Sequence, residues 1–313
     1  MTCAAPEAFR TWFQSVYLNA RENVIDMNVL VAMDGSKHGR WALNWVARLP
    51  LVEQPCVIAL HVLDVAALRA PFLAQPVMAG NEPYIQKEIK RMEARSAKTL
   101  QEATRQLASL ELAGTVRKEQ GPVATTILKR APKQGGLLVV GSQGFDALDR
   151  FMLGSVSTNL LHHATCPMLV VKSEAAPLRQ MILATDGSDA SAKALKFVLT
   201  KFQPDQSTSK DGRVPIHVSV FHVLPLVMRP GLKKASKKLL EQSVQKLIKA
   251  GFTAESLCYL GNPAEEIMKV ASQQKADLIV MGAQGLGAIA RFLIGSVSTR
   301  VVQHANCAVL VVR

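Results

Sequence analysis

One internal repetition constrains this chain more than any other feature. Asn28-Val-Leu-Val-Ala-Met-Asp-Gly-Ser36 returns as Gln180-Met-Ile-Leu-Ala-Thr-Asp-Gly-Ser188. A second block, Gly141 to Thr158, returns from Gly282 to Thr299 at a shift of 141 residues, with Gly-Ser-Val-Ser-Thr in register at its end. Between these blocks, His61-Val-Leu63 matches His222-Val-Leu224 in the same order. A period this long is not that of a solenoid unit, so the chain is a duplicated domain. Its 313 residues suit two domains of ~100–200 residues, each able to bury its own core. The copies are expected at residues 28–172 and 178–313. The seam is the small, polar, proline-ended stretch Ser173-Glu-Ala-Ala-Pro177. Residues 1–27, which match nothing in the second copy, form an N-terminal extension.

Each copy alternates short apolar runs with helical patterns. In the first, Val29–Met33, Val57–Val62, Val116–Lys118, Leu137–Val140 and Met168–Val171 read as strands. Several are almost wholly apolar, as befits strands covered on both faces. Gly39–Leu49 and the long Ile85–Leu110 carry helical periodicity between them. The second copy repeats the plan with Met181–Ala184, Ile216–Phe221, a weaker strand near Ala254–Cys258, Leu278–Met281 and Val309–Val312. Strands alternating with helices imply parallel βαβ units, so the fold class is α/β with a doubly wound sheet in each copy.

In such a sheet the ligand crevice lies beyond the carboxyl ends of the strands. Two elements converge there in each copy. One is the acid that closes the first strand, Asp34 or Asp186, followed by Gly-Ser. The other is the loop after the fourth strand, spaced Gly-x2-Gly-x9-Gly-Ser: Gly141, Gly144, Gly154 and Ser155, then Gly282, Gly285, Gly295 and Ser296. Glycines let backbone N–H groups approach a phosphate, and Gly-Ser-Val-Ser opens a helix whose unpaired N–H groups and dipole favour an anion. A carboxylate opposite can accept from ribose hydroxyls or hold a phosphate-bound Mg²⁺. The same glycines would also serve as plain strand-to-helix turns, but the full spacing occurring twice favours phosphate binding. Neither a Walker loop nor a dinucleotide GxGxxG is present, since Gly282-Ala-Gln-Gly-Leu-Gly has the wrong order.

These motifs, with the closing Cys166-Pro-Met-Leu-Val-Val171, resemble the universal stress protein family over nearly the whole chain from Asn28. The resemblance implies an adenine nucleotide alpha hydrolase-like fold, with five parallel strands per domain in the order 3-2-1-4-5. It also implies an ATP-binding subclass marked by this glycine spacing. ATP, or AMP or ADP, would be the ligand, with Mg²⁺ alongside. Asp34 and Asp186 would contact ribose or metal, and Val62 and Val223 would touch adenine through backbone. Gly141, Gly144, Gly154, Ser155 and Ser157 would hold phosphates in one site, and Gly282, Gly285, Gly295, Ser296 and Ser298 in the other. Family members pair through the last strand. A tandem chain can make that contact internally as a pseudo-twofold pair, and a homodimer is a further expectation. The implied role is a stress-response module switched by nucleotide. Slow hydrolysis or self-phosphorylation on Ser157 or Ser298, and a nucleotide-free scaffold, are the alternatives.

Composition narrows the remaining classes. A hydrophobic fraction of 49% with 19% charged residues excludes general disorder. Apolar stretches fall short of the ~18 residues that cross a bilayer, so no membrane span is expected. The N-terminal residues lack a basic start and apolar block, so no secretory signal is expected. Five scattered cysteines form no CxxC pair, which points to a reducing cytoplasm. His163 with Cys166, and His304 with Cys307, supply too few ligands for zinc. The formal charge of +13 gathers partly between Arg229 and Lys249. With 5% aromatics and no recognition motif, a solvated helix face is the better reading there, and nucleic acid is not an expected partner. Arg150 and Arg291 precede the two Gly-Ser pairs, within reach of a phosphate or at the surface. No nucleophile–base–acid set can be assembled, so a turnover enzyme is not expected.

Overall fold

Along each central strand, successive side chains enter different cores. Val29 and Val31 join one cluster of buried residues and Leu30 the other, as do Leu137 and Val139 against Leu138 and Val140. That alternation, apolar on both faces, is what a sheet needs when helices cover both sides. The structure, a computed structural model, describes residues 27–67, 82–133, 135–144, 153–208, 212–226, 231–285 and 294–313. The extension before Met27, Arg150, Arg229 and Arg291 lie outside the described residues.

The first half runs β1 (Met27–Ala32), α1 (Lys37–Arg48), β2 (Pro55–Leu63), α2 (Glu82–Ser109), β3 (Gly114–Gln120), α3 (Val123–Arg130), β4 (Leu137–Gly141), α4 (Ser155–His163) and β5 (Met168–Val171). The second runs β6 (Gln180–Ala184), α5 (Asp189–Lys201), β7 (Asp205–Thr208), β8 (Gly212–Pro215), β9 (His217–Leu224) and α6 (Leu232–Lys249). It continues with β10 (Thr253–Leu260), α7 (Pro263–Gln273), β11 (Leu278–Gly282), α8 (Ser296–His304) and β12 (Ala308–Val312). Within each half the strand order is 3-2-1-4-5 and every pairing is parallel. Helices α1, α2, α5 and α6 cover one face, and α3, α4, α7 and α8 the other. The hairpin β7–β8 was not expected. Its strands bond only to each other, outside the main sheet, and the flanking sequence lacks the apolar alternation that marks a strand.

The halves merge rather than standing apart. β5 and β12 pair antiparallel, with Leu169 opposite Leu310, and close one ten-stranded sheet. Those two leucines are equivalent in the repeat, so a pseudo-twofold axis passes between them. Two basic residues at the strand ends cross that axis. Lys172 Nζ donates to Gln303 O near the end of α8 at 2.9 Å, and Arg313 Nη2 donates to Leu161 O near the end of α4. Cations at helix C-termini are favoured by both the free carbonyls and the dipole. A second junction joins the Leu51 and Phe202 segments, where Lys201 Nζ meets Glu53 Oε1 at 2.9 Å. Among the described residues no helix is long and apolar enough to cross a membrane.

Candidate functional site

Two cavities, of about 920 and about 1050 Å³, open beyond the carboxyl ends of the strands, one in each half. Asp34, Val62, Gly141, Gly144, Gly154, Ser155 and Ser157 all line the first. Asp186, Val223, Gly282, Gly285, Gly295, Ser296 and Ser298 all line the second. The repeat therefore brings each half's motif residues, far apart in the chain, to one crevice.

The carboxylates are fixed by their own turns. Asp34 Oδ1 accepts from Ser36 N at 2.9 Å, and Asp186 Oδ1 from Ser188 N at 3.0 Å and Ser188 Oγ at 2.6 Å. Gly35 and Gly187, at φ 84° and 81°, occupy the left-handed region those turns require. The other carboxylate oxygen faces the glycine loop. A Cβ added to Gly144 would lie 3.1 Å from Asp34 Oδ2, and one on Gly285 only 2.7 Å from Asp186 Oδ2. Acid and loop thus stand against one another with no room for a side chain between.

The glycines of the motif divide into two kinds. At Gly141 the missing Cβ makes room for α1, because it would sit 2.6 Å from His38 Cβ. At Gly282 it would sit 2.5 Å from the carbonyl carbon of Ala190 in α5. These two serve helix-on-strand packing, and burial beside Lys37 holds the His38 imidazole below its ordinary pKa. Gly154 and Gly295 are the residues from which α4 and α8 start. Each donates its own N–H back across the loop, to Ser142 O at 2.8 Å and Ala283 O at 2.7 Å.

Among the described residues no side chain caps either of those helices, and neither first turn carries an acid. Ser36, Ser188 and Asn262, by contrast, cap α1, α5 and α7 with their side chains. The uncapped N–H groups and positive dipole ends therefore open onto the cavities. Ser155 and Ser296 are exposed at those openings. Ser157 and Ser298 are buried, and their hydroxyls donate to Gly141 O at 2.7 Å and Gly282 O at 2.9 Å. They tie each first turn to its strand end.

Several residues of the crevices were not singled out from the sequence. Val123 and Ile127 of α3, and Ile267 of α7, make apolar walls beside Val62 and Val223. His61 and His222, buried at matching positions, place Nδ1 2.7 Å from Met33 O and Thr185 O. A carbonyl only accepts, so each Nδ1 carries the hydrogen of that bond. The repeated His-Val-Leu was the available signal. His163 and His304 close α4 and α8, and Cys166 is wholly buried. Among the described residues no group of His, Cys, Asp and Glu could hold a metal by itself.

The universal stress protein family model matches residues 27–172 and again 177–313. A universal stress protein of Mycolicibacterium smegmatis is 28% identical over 307 residues, spanning 93% of this chain and 99% of that relative. YxiE of Bacillus subtilis, also a universal stress protein, is 34% identical over 146 residues, 43% of this chain and 98% of its own. A solved universal stress protein from Archaeoglobus fulgidus superposes at TM-score 0.64 and 20% identity, covering 91% of this chain and 98% of that one, which shows the shared fold. With a family model on each half and crevices built twice on one plan, this chain belongs to the universal stress protein family as a tandem two-domain member.

Proposed function

We propose that each half binds an adenine nucleotide, ATP or a shorter relative, and that occupancy switches conformation or partner contacts in a stress response. The observation that carries this reading is the pair of helix starts, uncapped among the described residues, facing Asp34 or Asp186 across a glycine loop. Phosphates would lie on the N–H groups at the starts of α4 and α8, with Ser155 and Ser296 adding hydroxyl donors. The base would pack on Val62, Val123 and Ile127 in one crevice, and on Val223 and Ile267 in the other. Asp34 and Asp186 would accept from ribose. A Mg²⁺ ion arriving with the phosphates would find one of these carboxylates per crevice, which suits a cation that keeps several of its waters.

A holding role is supported over self-phosphorylation by Ser157 and Ser298, whose buried hydroxyls are committed to carbonyls of the strand ends. Calorimetry with ATP and Mg²⁺ tests the reading, and two nucleotides per chain are expected. Absence of binding heat together with absence of co-purified nucleotide would sink it. Product release at ordinary enzymatic rates, on the order of 1 s⁻¹ or faster, would replace binding by turnover.

A further inference from the structure

The two crevices differ along one wall. The carboxylates Asp34 and Asp186 line the two cavities at equivalent positions of the repeat. On the far side from the glycine loop, the space continues over the Asp-Gly-Ser turn toward α2 or α6. Thr99 of α2 stands over Gly35, where Oγ1 would meet an added Cβ at 2.6 Å. Leu239 of α6 stands over Gly187 in the same way, its Cδ2 at 3.3 Å. That equivalence sets the register of the two walls. One turn earlier, Arg95 and Ser96 in the first crevice answer to Ala235 and Ser236 in the second. From the α1 side, Arg40 donates through Nη1 to Gly35 O at 3.1 Å, which holds it over the turn. Its counterpart by spacing from Asp186 is Ala192.

The first crevice thus has an arm with two guanidinium groups and two hydroxyls where the second has two alanines, a leucine and one hydroxyl. Lys98 and Glu102 also border it, 3.9 Å apart and offsetting one another, and Asp64 accepts from Ala67 N. A further observation points to a ligand. Ser96 is 1% exposed, lines the cavity, and its Oγ has no hydrogen-bond partner among the described residues. A helical serine ordinarily returns its hydroxyl to a carbonyl one turn back, as Ser243 does to Leu239 O at 2.9 Å. A buried hydroxyl without a partner costs about 1–3 kcal/mol, and a polar ligand atom would remove that cost.

We propose that the arm takes a second phosphate, so that the first crevice selects an adenine nucleotide phosphorylated on its ribose as well as on its 5′ carbon, while the second does not. This rests on the nucleotide reading above. With the ribose at Asp34, a substituent on one ribose hydroxyl points over Gly35 toward Arg40 and Arg95, and the other hydroxyl stays with the carboxylate. Guanidinium forks match phosphate oxygens, and Ser96 and Thr99 supply neutral donors.

The test is calorimetry on the full chain with one crevice closed at a time, by Gly285→Val or Gly144→Val. The probes are AMP and adenosine 2′,5′- and 3′,5′-bisphosphate. With the second crevice closed, one of the bisphosphates is expected to bind at least 10-fold tighter than AMP, and Arg40→Ala with Arg95→Ala should erase that advantage. With the first closed, the advantage should stay under 3-fold, and Ala235→Arg with Leu239→Thr should raise it. Equal binding of AMP and both bisphosphates in the first crevice overturns the proposal alone. So does an advantage that survives loss of both arginines. Binding of neither ATP nor AMP in either crevice overturns the nucleotide reading, and the proposal with it.

Discussion

Above the Asp-Gly-Ser turn the first half presents Thr99 and the second Leu239, yet beneath that turn the two halves are nearly superimposable in their bonding. Both carboxylates accept from the serine two residues on, both glycine loops fold back through an N–H, and both second serines hold a strand-end carbonyl. What is duplicated intact is backbone geometry, where each atom has a steric or hydrogen-bonding reason to stay. What differs is the side chains that two wall helices present over that turn, where exchanging a polar for an apolar side chain leaves the frame untouched. A tandem chain can therefore keep two crevices of one design and furnish them for different ligands.

Closing one crevice gives the largest effect. Gly285→Val drives a Cβ to 2.7 Å from Asp186 Oδ2 and fills the gap between acid and loop. Nucleotide binding in the second crevice should fall by about 100-fold, near 2.7 kcal/mol, with the first unchanged. Gly144→Val begins from a looser 3.1 Å contact and should cost the first crevice about 10-fold. Calorimetric affinities resolved by site are the readout, with one site weakened in each variant. A loss of both sites in either variant would show that the crevices do not act separately.

Two glycine exchanges read through stability come next. Gly282→Ala places its Cβ 2.5 Å from backbone of α5, which cannot move without the whole helix, so the fold should lose about 1–3 kcal/mol. Gly295→Ala meets nothing closer than 3.4 Å and should leave stability within about 0.5 kcal/mol. Urea midpoints distinguish the two. Equal losses would mean that the glycines of the loop share one role after all.

That contrast also shows where sequence reading runs out. The duplication was legible in the repeated motifs, and the parallel sheets in apolar runs alternating with helices, because burial on both faces leaves a continuous hydrophobic trace; the strand order came only with the family resemblance. The crevice residues were legible too, since small residues at fixed spacing betray close approach. Which body each glycine admits was not legible: Gly141 yields to His38, Gly144 to Asp34, and the letter is the same. Arg40, Ser96 and Thr99 are polar residues of ordinary helices with no motif to mark them, and only folding brings them to one crevice. The hairpin β7–β8 escaped for a similar reason, since its backbone bonds are satisfied without any apolar pattern to announce them.

The seam between the halves carries a smaller asymmetry that pH can expose. Lys172 and Arg313 are equivalent in the repeat, and each reaches across the axis to the other half's last helix. Beside them lie Cys307 and Cys166, whose thiols burial pushes up, Cys307 to about 11. Burial also lowers Lys172 to about 8, whereas arginine stays charged throughout. Below pH ~8 the folded protein carries a Lys172 charge that it disfavours. Between there and the ordinary lysine range the unfolded chain binds more protons, so this group makes stability rise with pH. Cys307 has the opposite sign: from pH ~9 to ~11 the folded state keeps a proton that the unfolded chain has lost, so stability falls. The two slopes oppose one another where the windows overlap. Relative to the parent, Lys172→Met should remove the rise and show a fall above pH ~9, and Cys307→Ala should show the rise alone. Each effect should be on the order of 1 kcal/mol after solvent screening. Urea midpoints from pH 7.5 to 11 read both. A rise that persists in Lys172→Met would move the titrating group away from the seam.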